Sequence, residues 1–319
     1  MKKKNLRYQM TSSVANNHNE KGTSKRSIKL DPTANIKEYV YSFSERERLM
    51  DICKSFADFI NQNYSEIKMV RDITKPMVLE FLQSNHKTNG GKCNSNTVYT
   101  MAQSIDKLSH LVNKNFKVNT DWKIEKSELI ADNKKSRDLW MQREHLNAAL
   151  SLMKDGTDGK IGIQLAAEFG LRVAEVTKLQ LRDIDFENGK LHIHESKGGK
   201  SRNISIDDAQ KVWLKDEIKE RGIVDKNARL CPIKDKSVCN LLSKCLKKAG
   251  YPEYAEAKTS IHSLRKMRAQ ELYEDKIPEH QSQGNSYKNA EKKARGDTNE
   301  FLGHGRGRTL DSYIIPRRG

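Results

Sequence analysis

Apolar side chains recur every three or four positions through Leu49, Ile52, Phe56, Phe59 and Ile60, with Lys and Glu between them, the spacing of one buried helical face. Ser44 followed by Glu47 has the form of a capping box and predicts that this helix starts there. A second helix is predicted near Pro76 to Leu82: Thr74 can cap it, Pro76 suits its first turn, and Val78, Leu79, Phe81 and Leu82 supply an apolar face. A third follows the Asn/Gly/Lys-rich loop at 85–96, with Val98, Met101, Ile105, Leu108 and Val112 in helical register. Residues 36–118 are therefore read as a small, basic, all-helical domain whose aromatic and methionine side chains form its core. Residues 1–35 are polar and poor in large apolar groups, which predicts a flexible basic arm.

The charged stretch 119–140 lacks sustained periodicity and is read as a linker to a second domain, 141–319. Helical patterns at 144–154, 161–169 and about 172–178 open that domain. The period then changes. Ile184–Phe186, Lys190–Glu195 and Arg202–Ile206 read as short strands, joined by Glu187-Asn188-Gly189 and by Lys197-Gly198-Gly199-Lys200. Helical patterns resume at 208–220, 236–248 and 259–274, and the polar stretch at 276–295 is expected to be a loop. The fold class expected is mainly α with a small antiparallel β-sheet, a helical domain followed by an α+β domain.

Composition narrows the partners. The 319 residues carry 59 Lys and Arg against 42 Asp and Glu, a formal charge of +17. Such a balance points to a polyanion, either nucleic acid or an acidic membrane face. No segment approaches the ~20 apolar residues of a membrane span, so a membrane partner is not expected. The first thirty residues lack the apolar core of a signal peptide, which predicts a cytoplasmic, nucleoid-associated protein. Cys53, Cys93, Cys231, Cys239 and Cys245 are scattered without zinc-site spacing, so neither a metal nor any other cofactor is expected.

Four separated clusters in the second domain carry chemistry. They are Gly170-Leu171-Arg172-Val173-Ala174-Glu175, Ser196-Lys197-Gly198-Gly199-Lys200, His262-Ser263-Leu264-Arg265, and Leu302-Gly303-His304 with Tyr313 nine positions beyond the histidine. In this order, with the hairpin lysine between the two arginines, the chain resembles the tyrosine recombinases, the phage-integrase family. The resemblance covers about 140–319 and, more loosely, the helical domain before it. It implies a helical core-binding (SAM-like) DNA-binding domain and a catalytic domain that together clamp duplex DNA.

The residue types suit that chemistry. Phosphodiester transesterification builds negative charge on nonbridging oxygens, which the planar, always-charged guanidiniums of Arg172 and Arg265 can stabilise. Glu175, three residues after Arg172, shares its helical face and can orient it. An ordinary surface ion pair is the equal alternative. The resemblance implies that Lys197 is the general acid toward the departing 5′ oxygen, with Lys200 and Arg202 as phosphate contacts. His262 and Arg265 project from one helix face, and His262 can exchange a proton near neutral pH. His304 is expected to donate a hydrogen bond to a phosphate oxygen. Tyr313 is the nucleophile the resemblance implies, a phenol that needs nearby cations and a base to react at neutral pH. His192 and His194 alternate on a strand without a third ligand and are expected to be buried, satisfied histidines.

The chain also departs from the family pattern. The interval between Arg265 and His304 is longer than usual, and only six residues follow Tyr313, too few for the helix through which many relatives contact a neighbouring subunit. The resemblance implies a homotetramer on double-stranded DNA with inverted-repeat core sites, a possible accessory directionality factor, and service to a mobile element. A topoisomerase-like or telomere-resolving enzyme, or a non-catalytic DNA-binding protein of the same fold, stands as the alternative.

Overall fold

A computed structural model describes residues 5–19, 25–131, 139–196, 200–257, 261–303 and 307–315. The chain divides into two units between Lys134 and Lys135.

The first unit is helical: α1 (Leu6–Asn16), α2 (Lys25–Leu30), α3 (Phe43–Asn63), α4 (Lys75–Ser84) and α5 (Ser95–Phe116). Its core gathers Leu49, Phe56, Ile60, Leu82, Ile105 and Leu108, all fully buried. The cap of α3 lies two residues before the expected one. Ser42 Oγ accepts from the Glu45 N–H (3.2 Å), and Glu45 Oε2 accepts from the Tyr41 N–H (2.9 Å).

Two boundaries need correction. The expected arm contains α1, whose Leu6, Met10 and Val14 are 0–1% exposed within the core of this unit. Three apolar residues at a spacing of four suffice for a seam, although the polar residues around them mask it. Gln9, also buried, donates to Lys68 O and accepts from the Val70 N–H. The expected linker likewise starts too early. Trp122 is fully buried, donates its indole N–H to Ile73 O (3.1 Å) and packs edge-on against Phe56, while Ile124 and Leu129 join the same core.

The second unit runs through α6 (Arg143–Ser151), α7 (Asp158–Phe169) and α8 (Val173–Val176) into strands β1 (Ile184–Asp185), β2 (Lys190–Ser196) and β3 (Lys200–Ser205). It continues with α9 (Asp208–Glu220), α10 (Asp235–Lys248), α11 (Glu253–Glu256), α12 (Ile261–Ser282) and α13 (Tyr287–Phe301), then a 3-10 turn over Gly307–Ser312. The sheet is antiparallel in the order β1-β2-β3, with Leu191 opposite Ile184 and Ile204. Strand alternation sends Leu191 and Ile193 into the core and leaves His192 and His194 on the other face. These histidines are not buried as expected: His192 is half-buried and His194 exposed.

The polar stretch 276–295 is two helices joined by a turn at 283–286, not a long loop. Helix α12 runs on through Pro278 to Ser282, and α13 returns alongside it. Tyr273 and Ile277 meet Ala290 and Ala294 in a buried seam. The Tyr273 hydroxyl donates to Glu291 (3.0 Å), and His280 lies 2.7 Å from Asp297. Alanines carry half of that seam, so its apolar signal is thin in the sequence. No helix among the described residues is long and apolar enough to cross a membrane.

Candidate active site

Helix α7 ends at Gly170 in the left-handed conformation (φ 56°), where a Cβ would come within 2.9 Å of the Phe301 ring. Glycine meets both demands, the positive φ and the close approach. The turn delivers Arg172 to the start of α8, where Glu175 Oε2 accepts the Arg172 backbone N–H (3.0 Å) and Oε1 accepts from its guanidinium (2.7 Å). Glu175 thus both caps α8 and orients Arg172.

The same carboxylate takes a second arginine. Arg202, on β3, forks onto both Glu175 oxygens (3.0 and 2.8 Å) and donates Nε–H to Phe301 O (3.0 Å). Its side chain is 8% exposed. The expected phosphate contact is therefore turned inward as a strut, because a buried carboxylate needs a geometrically matched partner. Nothing in the sequence signals this, since the two residues lie on different elements.

Arg265, on α12, is completely buried. It donates through Nη1 to Gly170 O and through Nη2 to Leu302 O, and Nη1 lies 3.9 Å from Glu175. Those carbonyls end α7 and α13, where partial negative charge favours a cation. Burial, aided by the like charges of Arg172 and Arg202, pushes the Arg265 guanidinium down to about 10, which leaves it protonated at neutral pH.

Tyr313 sits at the end of the 3-10 turn, 6% exposed. Its ring meets the His262 ring edge-on (centroids 5.1 Å apart, planes at 74°) and lies 5.9 Å from the Arg265 guanidinium carbon. Leu310 and Ile314 anchor the segment in the seam of α12 and α13. Gln270 clamps it from α12, accepting the Ile315 N–H (2.7 Å) and donating to Ile315 O (3.2 Å). An Arg295–Asp311 ion pair adds a third tie. Gln270 escaped the sequence reading because a single polar residue on a helix has no distinguishing mark.

The structure thus brings Arg172, Glu175, Arg202, His262, Arg265 and Tyr313 into one connected centre built from α8, β3, α12 and the carboxyl-terminal turn. Lys197 and His304 lie outside the described residues, as does the Lys200 side chain. Among the described residues no group of three His, Cys, Asp or Glu side chains is placed to hold a metal ion. A guanidinium and an imidazole beside a phenol, with a second arginine tied in through a shared carboxylate, are the groups that phosphoryl transfer to a phenolic oxygen calls on.

Comparison with known proteins places this centre in context. Residues 140–284 match the model of the phage integrase family. Tyrosine recombinase XerA of Saccharolobus solfataricus is 31% identical over 94 residues, 30% of this chain and 31% of that protein. The match therefore spans about a third of the relative's length. The XerH site-specific recombinase, in a post-cleavage complex with palindromic difH substrate, superposes with a TM-score of 0.62 at 15% identity, covering 98% of this chain and 91% of that one. The Tn1549 transposon integrase bound to transposon right-end DNA gives 0.60 at 15% identity, covering 96% and 95%. At such identities the likeness is one of fold.

Proposed function

We propose that the chain, whose residues 140–284 match the phage integrase family, is a member of that family and a site-specific DNA recombinase working through a 3′-phosphotyrosyl intermediate. One observation carries the reading: Tyr313 stands against His262 and Arg265, and Arg265 is joined through Glu175 to Arg172. No simpler phosphate-binding role calls for a phenol in that place.

In the proposed reaction the Tyr313 oxygen attacks phosphorus while its proton passes to His262. The P–O5′ bond breaks, and the departing 5′ oxygen takes a proton from Lys197. Arg172 and His304 hold the nonbridging oxygens as charge builds on them, while Arg265, its guanidinium committed to two backbone carbonyls, adds its positive charge from the buried side. A 5′ hydroxyl from a partner duplex then attacks the phosphotyrosine and releases Tyr313. The phosphodiester energy is conserved in the covalent link, so rejoining needs no nucleotide triphosphate.

Double-stranded DNA as substrate is supported by the +17 charge and by the shared fold with recombinases bound to their DNA. We infer inverted-repeat sites, one protomer per half-site and a tetramer for exchange, as strand transfer between two duplexes requires. Service to a mobile element and a directionality factor complete the reading, which places the protein at the nucleoid.

The test is a nicked suicide duplex carrying the sequence recovered from DNA bound by the protein. Wild type should yield an SDS-resistant protein–DNA adduct, and Tyr313→Phe should bind the duplex without forming one. Equal adduct from both proteins would overturn the assignment of Tyr313, and no adduct from either would overturn the recombinase reading.

A further inference from the structure

A groove of about 510 Å³ opens beside Arg172, between the segment that follows α8 and the outer face of β2. Lys178, Arg182, Asp183, His192 and His194 line it together with Arg172. Lys178, Arg182 and His194 are exposed, whereas the two carboxylates of the lining are turned inward. Glu175 is bound by arginines, and Asp183, with its side chain 10% exposed, accepts the Gln180 N–H (2.9 Å) and lies 3.4 Å from His194 Nε2. What the groove shows to solvent is basic, and what is acidic steadies it from below.

The basic groups are also held in place. Arg182 Nη1 donates to Asn227 Oδ1 (2.9 Å), and His192 Nδ1 lies 2.8 Å from Asn203 Oδ1 on the paired strand. A volume of about 510 Å³ measures roughly 8 Å on a side, room for one backbone phosphate beside the one that Arg172 would serve.

Resting on the recombinase reading, we propose that this groove is a second anion subsite that takes the backbone phosphate flanking the one attacked, with Lys178 and Arg182 supplying charge and His194 a ring N–H. It fixes the register of the strand over Tyr313, since phosphate contacts position a duplex without reading its bases.

The experiment uses the full chain, Lys178→Ala and Arg182→Ala, on the nicked duplex with either native phosphates or one neutral methylphosphonate at each position flanking the cleavage site. Each variant should lower the slope of log affinity against log salt by about one. Each should also slow adduct formation several-fold on native DNA. One methylphosphonate position should slow wild type by a similar factor and slow the variants no further, because the contact is already gone. An unchanged salt slope, or penalties that multiply at every position, would overturn the subsite. Wild type that forms no adduct on native DNA would overturn the recombinase reading and the flanking position with it, while the salt slopes still report whether the groove binds backbone.

Discussion

Arg202 grips Glu175 at two points, Nη1 to Oε1 at 3.0 Å and Nη2 to Oε2 at 2.8 Å, with the two side chains 8% and 5% exposed. The carboxylate is the negative centre among Arg172, Arg202 and Arg265. Glu175→Leu removes it and leaves buried positive charges facing one another, a loss of about 3–5 kcal/mol by comparison with other broken buried pairs. Thermal unfolding should register this as a lowered Tm, and suicide-substrate cleavage should fall more than DNA binding. Arg202→Lys should also lower both stability and cleavage, because a point charge cannot reproduce the fork. Wild-type stability in either variant would refute the assignment.

Gln270 holds the backbone of Ile315 at both its N–H and its carbonyl. Gln270→Leu keeps the bulk and drops both bonds, so Tyr313 should spend less time aligned. Adduct formation should slow about tenfold, equivalent to ~1.4 kcal/mol, with affinity for uncleaved DNA unchanged. If affinity falls in parallel, Gln270 is a general structural residue.

Two glycines of the second unit should respond in opposite directions. Gly303 has φ 64°, and an added Cβ would stand 2.8 Å from Arg202 Cδ, which cannot swing aside while its guanidinium is bound. Gly303→Ala should cost roughly 1–2 kcal/mol from the left-handed backbone alone, and cleavage should drop as Arg202 is displaced. Gly296, exposed within α13 with open space around its Cβ position, should gain up to ~1 kcal/mol on replacement by Ala. Denaturant melts of the two variants decide the matter.

Met10 is fully buried in the first unit. Met10→Ala should cost about 2–5 kcal/mol, and removal of residues 1–16 should expose the faces of α3 and α5 that α1 covers. Amide exchange localised to α3 and α5 would report it. Native protection after truncation would restore the reading of this segment as an unattached arm.

The contrast between α3 and α1 shows what a sequence makes legible. In α3, Leu49, Ile52, Phe56 and Ile60 announce the buried face by bulk as well as by spacing. In α1 the seam is three side chains among Gln, Ser, Thr and Asn, and in α13 it is two alanines, so neither rises above its polar surroundings. The site divides in the same way. Arg172, His262, Arg265 and Tyr313 lie in local patterns, whereas the fork of Arg202 on Glu175 and the clamp of Gln270 depend on distances across the fold. His192 and His194 show the reverse, since their alternation with Leu191 and Ile193 already marks the apolar face as the buried one and theirs as the outer one.

Arg265 ties the last carbonyls of two helices together from a position no solvent reaches. Folding and aiming are then one act: α7 and α13 cannot drift apart without moving the guanidinium between them. An enzyme assembled in this way has little freedom to explore new targets by loosening its centre. Evolution, or an engineer, would do better to vary the open flank of the sheet, where side chains can change while the keystone stays seated.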